Sequence, residues 1–319
     1  MSIFSDIAQF HINMLNDKQR TSSYLDCIRD IVHPGDVVLD IGTGTGIYAL
    51  AAARAGARHV YAVEADLIAR AAGRLFAANG VGSRITLIRG FSTNIWLPER
   101  ADVLISELIG DEPLAEHVIG ITQDAVRRLL RPRARLIPER IRMFVLLVSI
   151  PAAERGKLTF QQETLRTWRS WYGFDFSSLI TLPHIGPTGL GFDYFVNPYS
   201  MRQWQILSDP VLVANIDLRN RRHAWIGTRR VVTVVAAGEL NGLIIYFELA
   251  VPSKMFLSTH PALVAESNHW LSPVRILRNP ISVTKGNKLI LDYYYRPRCG
   301  RSEGRIRPTH VSSYESLFS

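Results

Sequence analysis

Short apolar runs alternate with helical patterns up to about residue 140. The apolar runs that predict β-strands are Val37–Ile41, His59–Val63, Ile85–Arg89 and Ala101–Ser106. Between these runs, an Ala-rich stretch over Ile47–Ala55 and a periodic stretch over Leu67–Ala78 predict helices. Strands that alternate with helices at this spacing are typical of right-handed βαβ units. The pattern therefore predicts an α/β, doubly wound parallel sheet over residues 1–138.

From Ile141 the pattern changes to strand-like runs with few helical periods between them. These runs are Phe144–Val148, Val231–Ala236, Leu243–Val251 and Leu289–Tyr295. They predict a mostly antiparallel β domain over residues 139–319. Glu239–Gly242 contains the pair Asn-Gly and predicts a turn between two of its strands. A stretch rich in Pro and Gly, Thr181–Tyr199, predicts an insertion or arm rather than core.

Composition places this chain among ordinary globular proteins. Its 319 residues allow two domains, and 47% hydrophobic with 20% charged residues excludes wholesale disorder. Two cysteines, Cys27 and Cys299, cannot build a disulfide framework or a Cys-rich zinc site, so no metal is expected. Met1–Gln19 lacks the pattern of a secretory signal, and no window is long and apolar enough to span a membrane. We therefore predict a cytoplasmic protein with no membrane partner.

The net charge of +9 and the pI near 9.8 leave the partner open. Nucleic acid, an acidic partner and a merely arginine-rich surface are all compatible with this charge. Basic residues cluster in three places, at 127–135, 219–222 and 296–307.

A glycine-rich turn follows the first predicted strand and opens a helix. It reads Asp40-Ile-Gly42-Thr-Gly44-Thr-Gly46, and Glu64 ends the next strand 18 residues after Gly46. Glycines allow the backbone to approach a ligand closely, and a helix N-terminus offers free N–H groups to it. An acid at the end of the second strand can accept hydrogen bonds from the hydroxyls of a ribose. Nicotinamide and S-adenosylmethionine sites share this arrangement. Asp40 favours S-adenosylmethionine, since its positive amino-acid end suits an acid better than a pyrophosphate does.

Two glutamates follow the fourth strand. Glu107 lies at the carboxyl end of that strand, where ligands bind in doubly wound sheets. Glu116 returns to the same pocket if the loop between them folds like a hairpin, although it could instead begin a solvated helix. Two converging carboxylates repel unless a cation lies between them, and a planar guanidinium is the best organic match. Asp111 and Glu112 are expected to be loop-tip or helix-capping acids.

Taken together, these motifs resemble the protein arginine methyltransferase family over most of the chain. Asp40–Ile47 resembles its cofactor motif and Glu64 its ribose acid, while Glu107 and Glu116 match its paired glutamates in spacing. Asn268-His269-Trp270 is similar to a Thr-His-Trp loop, with Asn in place of Thr. Phe10–Thr21 resembles the helix that folds over the cofactor.

The resemblance implies a fold and a set of roles. The fold is a Rossmann-like domain, a β-barrel and a dimerisation arm at about 176–204, which implies a homodimer. Arg20 would grip the cofactor carboxylate, His11 and Met14 would line the site, and Asp17 would pair with His269. Trp270 would lie in the substrate pocket.

This chain also departs from the family pattern. The family's glutamate for adenine is replaced by Gly90–Asn94, where Ser92 or Thr93 could make the contact. Leu108 and Ile109 stand in place of a Trp-Met pair, so the wall of the glutamate loop is less aromatic.

We therefore predict an S-adenosylmethionine-dependent arginine N-methyltransferase. Glu107 and Glu116 would hold the guanidinium, and His269, oriented by Asp17, would take the proton that leaves. The favoured acceptor is free L-arginine or another small guanidino compound, because a net charge of +9 repels cationic protein segments. Peptidyl arginine is the alternative. A nucleic-acid methyltransferase is disfavoured by the two glutamates, and an inactive dimeric scaffold by the intact acids and glycines.

Overall fold

A computed structural model describes residues 3–181, 194–221, 223–297 and 300–309. The predicted arm at about 176–204 lies partly outside these described residues, as does Cys299.

The first part of the chain contains one parallel sheet. Its order is β3-β2-β1-β4-β5, and every neighbouring pair is parallel. The strands are β1 (Val37–Ile41), β2 (His59–Glu64), β3 (Ile85–Arg89), β4 (Ala101–Ser106) and β5 (Leu130–Ile137). The order reverses between β1 and β4, and ligands bind outside the carboxyl ends of strands at such a switch point. The doubly wound fold is confirmed, and β5 is a further strand that the apolar pattern did not single out.

The helices of this part are α1 (Ile3–Asn16), α2 (Lys18–Ile31), α3 (Ile47–Arg54), α4 (Ala69–Ala78) and α5 (Val118–Arg128). The stretch that resembles a single covering helix is divided at Asp17. Its carboxylate accepts a hydrogen bond from the Arg20 backbone N–H at 2.9 Å and caps α2.

The second part of the chain is antiparallel throughout its paired strands. Its strands are β6 (Arg140–Ser149), β7 (Tyr194–Val196), β8 (Gln205–Ile206), β9 (Val211–Asp217), β10 (Ile226–Thr233), β11 (Gly238–Val251), β12 (Lys254–Ser258), β13 (Ser272–Val283), β14 (Lys288–Arg296) and β15 (Arg301–Pro308). One sheet has the order β10-β14-β15. The other has the order β7-β13-β11-β6-β8, with β12 paired to β11 and β9 to β6. The predicted mostly antiparallel second part is confirmed.

Two helices, α6 (Ala152–Leu158) and α7 (Gln162–Tyr172), leave the end of β6 before the chain returns to the sheet.

The predicted turn at Glu239–Gly242 is wrong, because these residues lie inside β11. The pairing of β11 with β13 is irregular between Leu240 and Gly242. Asn241 is buried there, and its side-chain amide bonds both the N–H of Ile150 at 2.7 Å and its carbonyl at 3.2 Å. A Cβ on Gly242 would lie 2.5 Å from Ile150 Cδ1. Asn241 and Gly242 thus do not form a hairpin turn. They accommodate irregular strand pairing and the close approach of Ile150.

Within the described residues, no helix has the length and apolar character that crossing a membrane requires. The cytoplasmic location stays a prediction.

Candidate active site

A cavity of about 780 Å³ opens at the carboxyl ends of β1, β2 and β4. It is lined by α1, the glycine-rich turn, the loop after β4 and the segment at 269–271. Most of the predicted site residues lie on its wall: His11, Met14, Arg20, Gly42, Gly44, Glu64, Glu107, Glu116, His269 and Trp270. Residues far apart in sequence, from α1 to the β domain, therefore meet at one place.

The glycine-rich turn exposes bare backbone to this cavity. Gly42 and Gly44 have φ of +74° and +55°, a region that side chains rarely adopt. A Cβ would lie 2.7 Å from Leu108 Cδ2 at the first position and 3.0 Å from His11 Cε1 at the second. Gly46, with φ of +91°, has a different reason: a Cβ there would lie 2.4 Å from the Phe76 ring on α4. Gly46 therefore permits helix packing behind the turn.

Asp40 lies beneath the turn and does not line the cavity. Its Oδ2 accepts a hydrogen bond from Thr43 Oγ1 at 2.5 Å, while no described group bonds its buried Oδ1. Burial raises the pKa of Asp40 to about 7. In this structure the Asp40 carboxyl contacts the turn through Thr43 and the first turn of α3 through the Ala49 backbone.

Glu64 closes the turn from the end of β2. Its Oε2 accepts from the Gly44 N–H at 2.8 Å and its Oε1 from the Asp66 N–H at 2.9 Å. Both oxygens are therefore fixed by backbone donors, and the carboxylate is held at the cavity wall.

Arg20 is the buried cation of the cavity, with 6% of its surface exposed. Its guanidinium donates to the Met14 carbonyl at 2.9 Å and to Glu107 Oε2 at 2.5 Å. The rings of Tyr48 and Trp270 lie 5.8 and 5.7 Å from it. Burial alone would lower the pKa of Arg20, but the charge of Glu107 outweighs it and the pKa is raised. Arg20 is thus a fixed positive charge with a rigid orientation.

Glu116 lies at the opposite end of the loop from Glu107. A Cβ on Gly110 would lie 3.2 Å from Glu116 Oε1, so the glycine makes room for this carboxylate. Desolvation of the carboxyl first, and then the charges of Glu107 and Asp111, raise the pKa of Glu116 to about 7, although the residue as a whole is exposed to solvent. Among the described residues, none forms an ion pair or a hydrogen bond with its carboxylate. The Glu116 carboxylate therefore lacks a partner among the described residues, and a bound cation would supply one.

Asp17 and His269 are joined as the resemblance implies. Asp17 Oδ2 lies 3.1 Å from the His269 backbone N and 2.9 Å from His269 Nδ1. Burial would raise the pKa of Asp17, but the hydrogen bonds from His269 and Arg20 outweigh it and lower the pKa. Because an ionised Asp17 only accepts, it assigns the proton of neutral His269 to Nδ1 and leaves Nε2 as an acceptor.

The glutamate loop is tied to the 269–271 segment. Trp270 Nε1 donates to the Ile109 carbonyl at 2.7 Å, and the Leu271 N–H donates to Asp111 Oδ1 at 2.7 Å. The expectation that Asp111 and Glu112 are loop-tip or helix-capping acids is wrong. Asp111 lines the cavity, and Glu112 is 5% exposed and bonded to Ser302, because the loop folds back onto the β domain.

Ser92 is not brought to this cavity. It is buried at the start of a 3-10 turn over Ser92–Asn94, and its carbonyl accepts from Arg128. Its contact with adenine stays a prediction.

Sequence reasoning missed five residues of the wall: Ile7, Tyr48, Asp66, Asp111 and Leu271. Tyr48 and Asp66 each lie two residues after a predicted ligand position, Gly46 and Glu64. That proximity was the available signal for them. Leu271 follows the Asn268–Trp270 motif directly, whereas nothing in the sequence marked Asp111 as facing the cavity.

Comparison with known proteins now adds to the geometry. Residues 17–138 match the family model "Ribosomal protein L11 methyltransferase (PrmA)", and residues 152–305 match the model "Arginine methyltransferase oligomerization subdomain". Protein arginine N-methyltransferase PRMT10 of Arabidopsis thaliana is 30% identical over 300 residues, covering 88% of this chain and 78% of that protein. The arginine N(omega)-methyltransferase of Streptomyces achromogenes subsp. streptozoticus is 30% identical, covering 90% and 76%.

A solved structure gives the same result at the level of fold. The Trypanosoma brucei PRMT1 enzyme-prozyme heterotetrameric complex with AdoHcy matches with a TM-score of 0.73 and 26% identity, covering 89% of this chain and 86% of that one. Several other curated arginine methyltransferases are matched over only about half of their own length. The chain belongs to the protein arginine methyltransferase family, and it is an arginine N-methyltransferase that uses S-adenosylmethionine.

Proposed function

We propose that this enzyme methylates the guanidino group of arginine residues in proteins. The observation that carries the proposal is that Glu107 and Glu116 lie on one cavity with Arg20 and the glycine-rich turn. Arg20 and the turn form a cofactor end, Glu116 and the free oxygen of Glu107 form an acceptor end, and the ion pair between Arg20 and Glu107 joins the two. One end suits a cofactor with a carboxylate and a ribose, and the other suits a cation.

The residues of the cofactor end fit S-adenosylmethionine. Arg20 is a buried guanidinium that matches a carboxylate, Glu64 is a fixed acceptor for ribose hydroxyls, and the turn at Gly42 and Gly44 leaves space that a Cβ would fill. When bound, this cofactor supplies an electrophilic methyl group on a sulfonium. The side chains of His11 and Met14 on α1 line the same cavity, and His11 lies against Gly44 of the turn.

The acceptor end binds and orients the guanidinium. Arg20 occupies one oxygen of Glu107, which leaves the other oxygen and the unpaired carboxylate of Glu116 for a guanidinium. Bidentate contact with two carboxylates localises positive charge on the nitrogens that they hold. The remaining nitrogen is then richer in electrons and aimed into the cavity. Such orientation of two reactants is worth about 7–11 kcal/mol in favourable cases.

His269 completes the proposed machinery. Asp17 holds its Nδ1, so the free Nε2 accepts the proton that the methylated guanidino group loses. Trp270 fixes the glutamate loop through the Ile109 carbonyl and so positions the acceptor wall.

Peptidyl arginine is favoured over free arginine by the relatives. Protein arginine N-methyltransferases of plants, fission yeast and zebrafish are similar to this chain. Free arginine is a second candidate, because the Streptomyces relative is named for arginine rather than for protein arginine. Net charge does not decide between the two acceptors, because five carboxylates line the cavity against one arginine and the local field attracts a cationic chain.

We further propose a homodimer. The match to an oligomerization subdomain over residues 152–305 supports it. Three aromatic side chains at the end of α7 and just beyond it, Trp171, Tyr172 and Phe174, are 66%, 59% and 70% exposed, which is typical of an interface rather than a solvated helix.

Transfer of a labelled methyl group from S-adenosylmethionine tests the function. We expect label in a peptide rich in Gly and Arg, less in free arginine and none in RNA. Label in free arginine alone would establish the second candidate, and label in RNA alone or in no acceptor would contradict the proposal. Size-exclusion chromatography with light scattering tests the dimer.

A further inference from the structure

Glu112 is a buried acid within the loop that carries both catalytic glutamates. It does not line the cavity and is 5% exposed. Ser302 of β15 bonds both of its carboxylate oxygens: the backbone N–H donates to Oε2 at 3.1 Å and the hydroxyl donates to Oε1 at 2.7 Å. Behind Ser302, the hydroxyl of Tyr293 on β14 lies 2.6 Å from Ser302 Oγ.

These three groups form a directed chain of hydrogen bonds. A serine hydroxyl has one proton, and when Glu112 is ionised that proton goes to its carboxylate. Tyr293 therefore donates to Ser302, and the chain runs from β14 through β15 to the loop. Ser302 and Tyr293 are completely buried, so water does not compete for these bonds.

Ionisation of the Glu112 carboxyl is energetically unfavourable in this buried position. Burial raises the pKa of Glu112 to about 7, and among the described residues no cation forms an ion pair with it. An apolar side chain would fill the same interface without that cost. What a carboxylate adds is two acceptors at a fixed spacing, matched to the N–H and O–H of one residue. Such a contact sets the register of the loop against β15.

That register bears directly on the cavity. Gly110 separates Glu112 from Glu116: a Cβ at Gly110 would lie 3.4 Å from the Glu112 carbonyl oxygen and 3.2 Å from Glu116 Oε1. The Ala115 N–H donates to the Glu112 carbonyl oxygen at 2.9 Å, so a displacement of residue 112 also moves the residue that precedes Glu116. Misplacement of a reacting group by about 1 Å costs roughly a hundredfold in rate.

We propose that Glu112 is a positioning residue for methyl transfer: through Ser302 it fixes the loop so that Glu107 and Glu116 face one guanidinium. The inference rests on the proposed function, since the glutamates are its targets. Asp111 and Trp270 restrain the loop from the 269–271 side, and Glu112 restrains it from β15.

The test compares Glu112→Ala with Glu112→Gln in the full chain. Alanine leaves the Ser302 N–H without a partner, and we expect kcat to fall at least tenfold and KM for an arginine peptide to rise. The Kd for S-adenosylmethionine should stay within twofold. Glutamine should restore kcat to within threefold, because its oxygen accepts from the N–H and its NH₂ donates to Ser302 Oγ. Asp292→Ala, at a buried acid on β14 that pairs with Arg229, is the matched control and should leave both constants unchanged.

The proposal is overturned if Glu112→Ala keeps kcat and KM within twofold, or if glutamine fails to rescue. If the alanine variant does not fold, Ser302→Ala decides: we expect kcat to fall at least threefold at unchanged cofactor Kd, and no fall overturns the proposal.

Hydrogen–deuterium exchange of the amides at 107–116 separates this inference from the proposed function. Exchange should rise in Glu112→Ala and not in Glu112→Gln, whatever the acceptor is. A wild-type enzyme without transfer to any arginine acceptor would contradict the function, while unchanged exchange would contradict the anchoring.

Discussion

The two ends of the cavity differ in how fully their charges are paired. At the cofactor end, Glu64 accepts two backbone N–H groups, and Arg20 bonds Glu107 and the Met14 carbonyl. At the acceptor end, no described group pairs with the Glu116 carboxylate, and its pKa is raised to about 7 by desolvation and by neighbouring acids. The cofactor end is preorganised, whereas the acceptor end contains a carboxylate for which no described residue supplies a positive partner.

This difference indicates which ligand each end selects. A preorganised end binds a ligand of fixed shape with little rearrangement. An end with unpaired like charges is stabilised only by a cation, so it discriminates against neutral and anionic ligands. The comparison predicts that substitutions at the two ends have separable effects.

The largest effect is expected at the acceptor end. Glu116→Gln keeps the shape and removes the charge, so transfer to an arginine peptide should fall by about 3 kcal/mol, or roughly a hundredfold in kcat/KM. The Kd of S-adenosylmethionine should not change. Equal losses in transfer and cofactor affinity would show that the two ends are not separate. Glu107→Gln should impair both, since Glu107 also holds Arg20.

Arg20→Lys tests the cofactor end. Lysine keeps the charge but loses the planar fork that reaches Met14 and Glu107 together. Loss of one charge-assisted hydrogen bond should weaken cofactor binding by about 2 kcal/mol, or roughly thirtyfold. Isothermal titration measures this change. An unchanged Kd with a fall in peptide affinity would assign Arg20 to the acceptor end instead.

Asp17→Asn should have a smaller effect on kcat. Asparagine still caps α2 through its oxygen, but it no longer offers His269 an ionised acceptor. We expect kcat to fall by about 1.4 kcal/mol, or roughly tenfold, with the melting temperature maintained. Asp17→Ala, which also loses the cap of α2, should lower both kcat and the melting temperature. Wild-type kcat in the asparagine variant would remove His269 from the proton path.

The smallest effect concerns stability and pH. The raised pKa of Glu116 means that the folded state disfavours its ionised form. Ionisation of Glu116 therefore lowers the free energy of unfolding as pH rises from about 4.5 to about 7, and the loss is constant above that pH. Glu116→Gln should therefore melt slightly higher than wild type at pH 8 and at the same temperature at pH 4. A higher melting temperature of Glu116→Gln at acid pH only would contradict the raised pKa of Glu116. In wild type, kcat/KM for the acceptor should rise through pH 7 as Glu116 ionises.

Sequence patterns predicted the parallel sheet well because its strands are continuous apolar runs. The runs at 37–41, 85–89 and 101–106 coincide with β1, β3 and β4. The sequence pattern gave a wrong prediction where the same residues are compatible with two local structures. Asn241-Gly242 is a turn signal that here accommodates an irregular strand, and Asp17 is a polar residue that divides one apparent helix into two.

For the site, local motifs placed residues that act from their own strand or turn. Gly42, Glu64 and Glu107 needed only the rule that ligands bind at carboxyl ends of strands. The position of Glu112 depends on Ser302, 190 residues away, and no local pattern encodes such a contact. Net charge is a weak guide to the acceptor for a related reason: it sums over the whole chain, whereas the acceptor meets only the cavity wall.

Binding of matched peptides tests the central claim most directly. The peptides differ only in arginine or its neutral isostere citrulline, and fluorescence anisotropy gives their affinity for the cofactor-loaded enzyme. We expect wild type to prefer arginine by roughly a hundredfold, about 3 kcal/mol for a close pairing of the guanidinium with two carboxylates, and Glu116→Gln to lose most of that preference. Equal affinity for both peptides in wild type, or an undiminished preference in Glu116→Gln, would contradict the account.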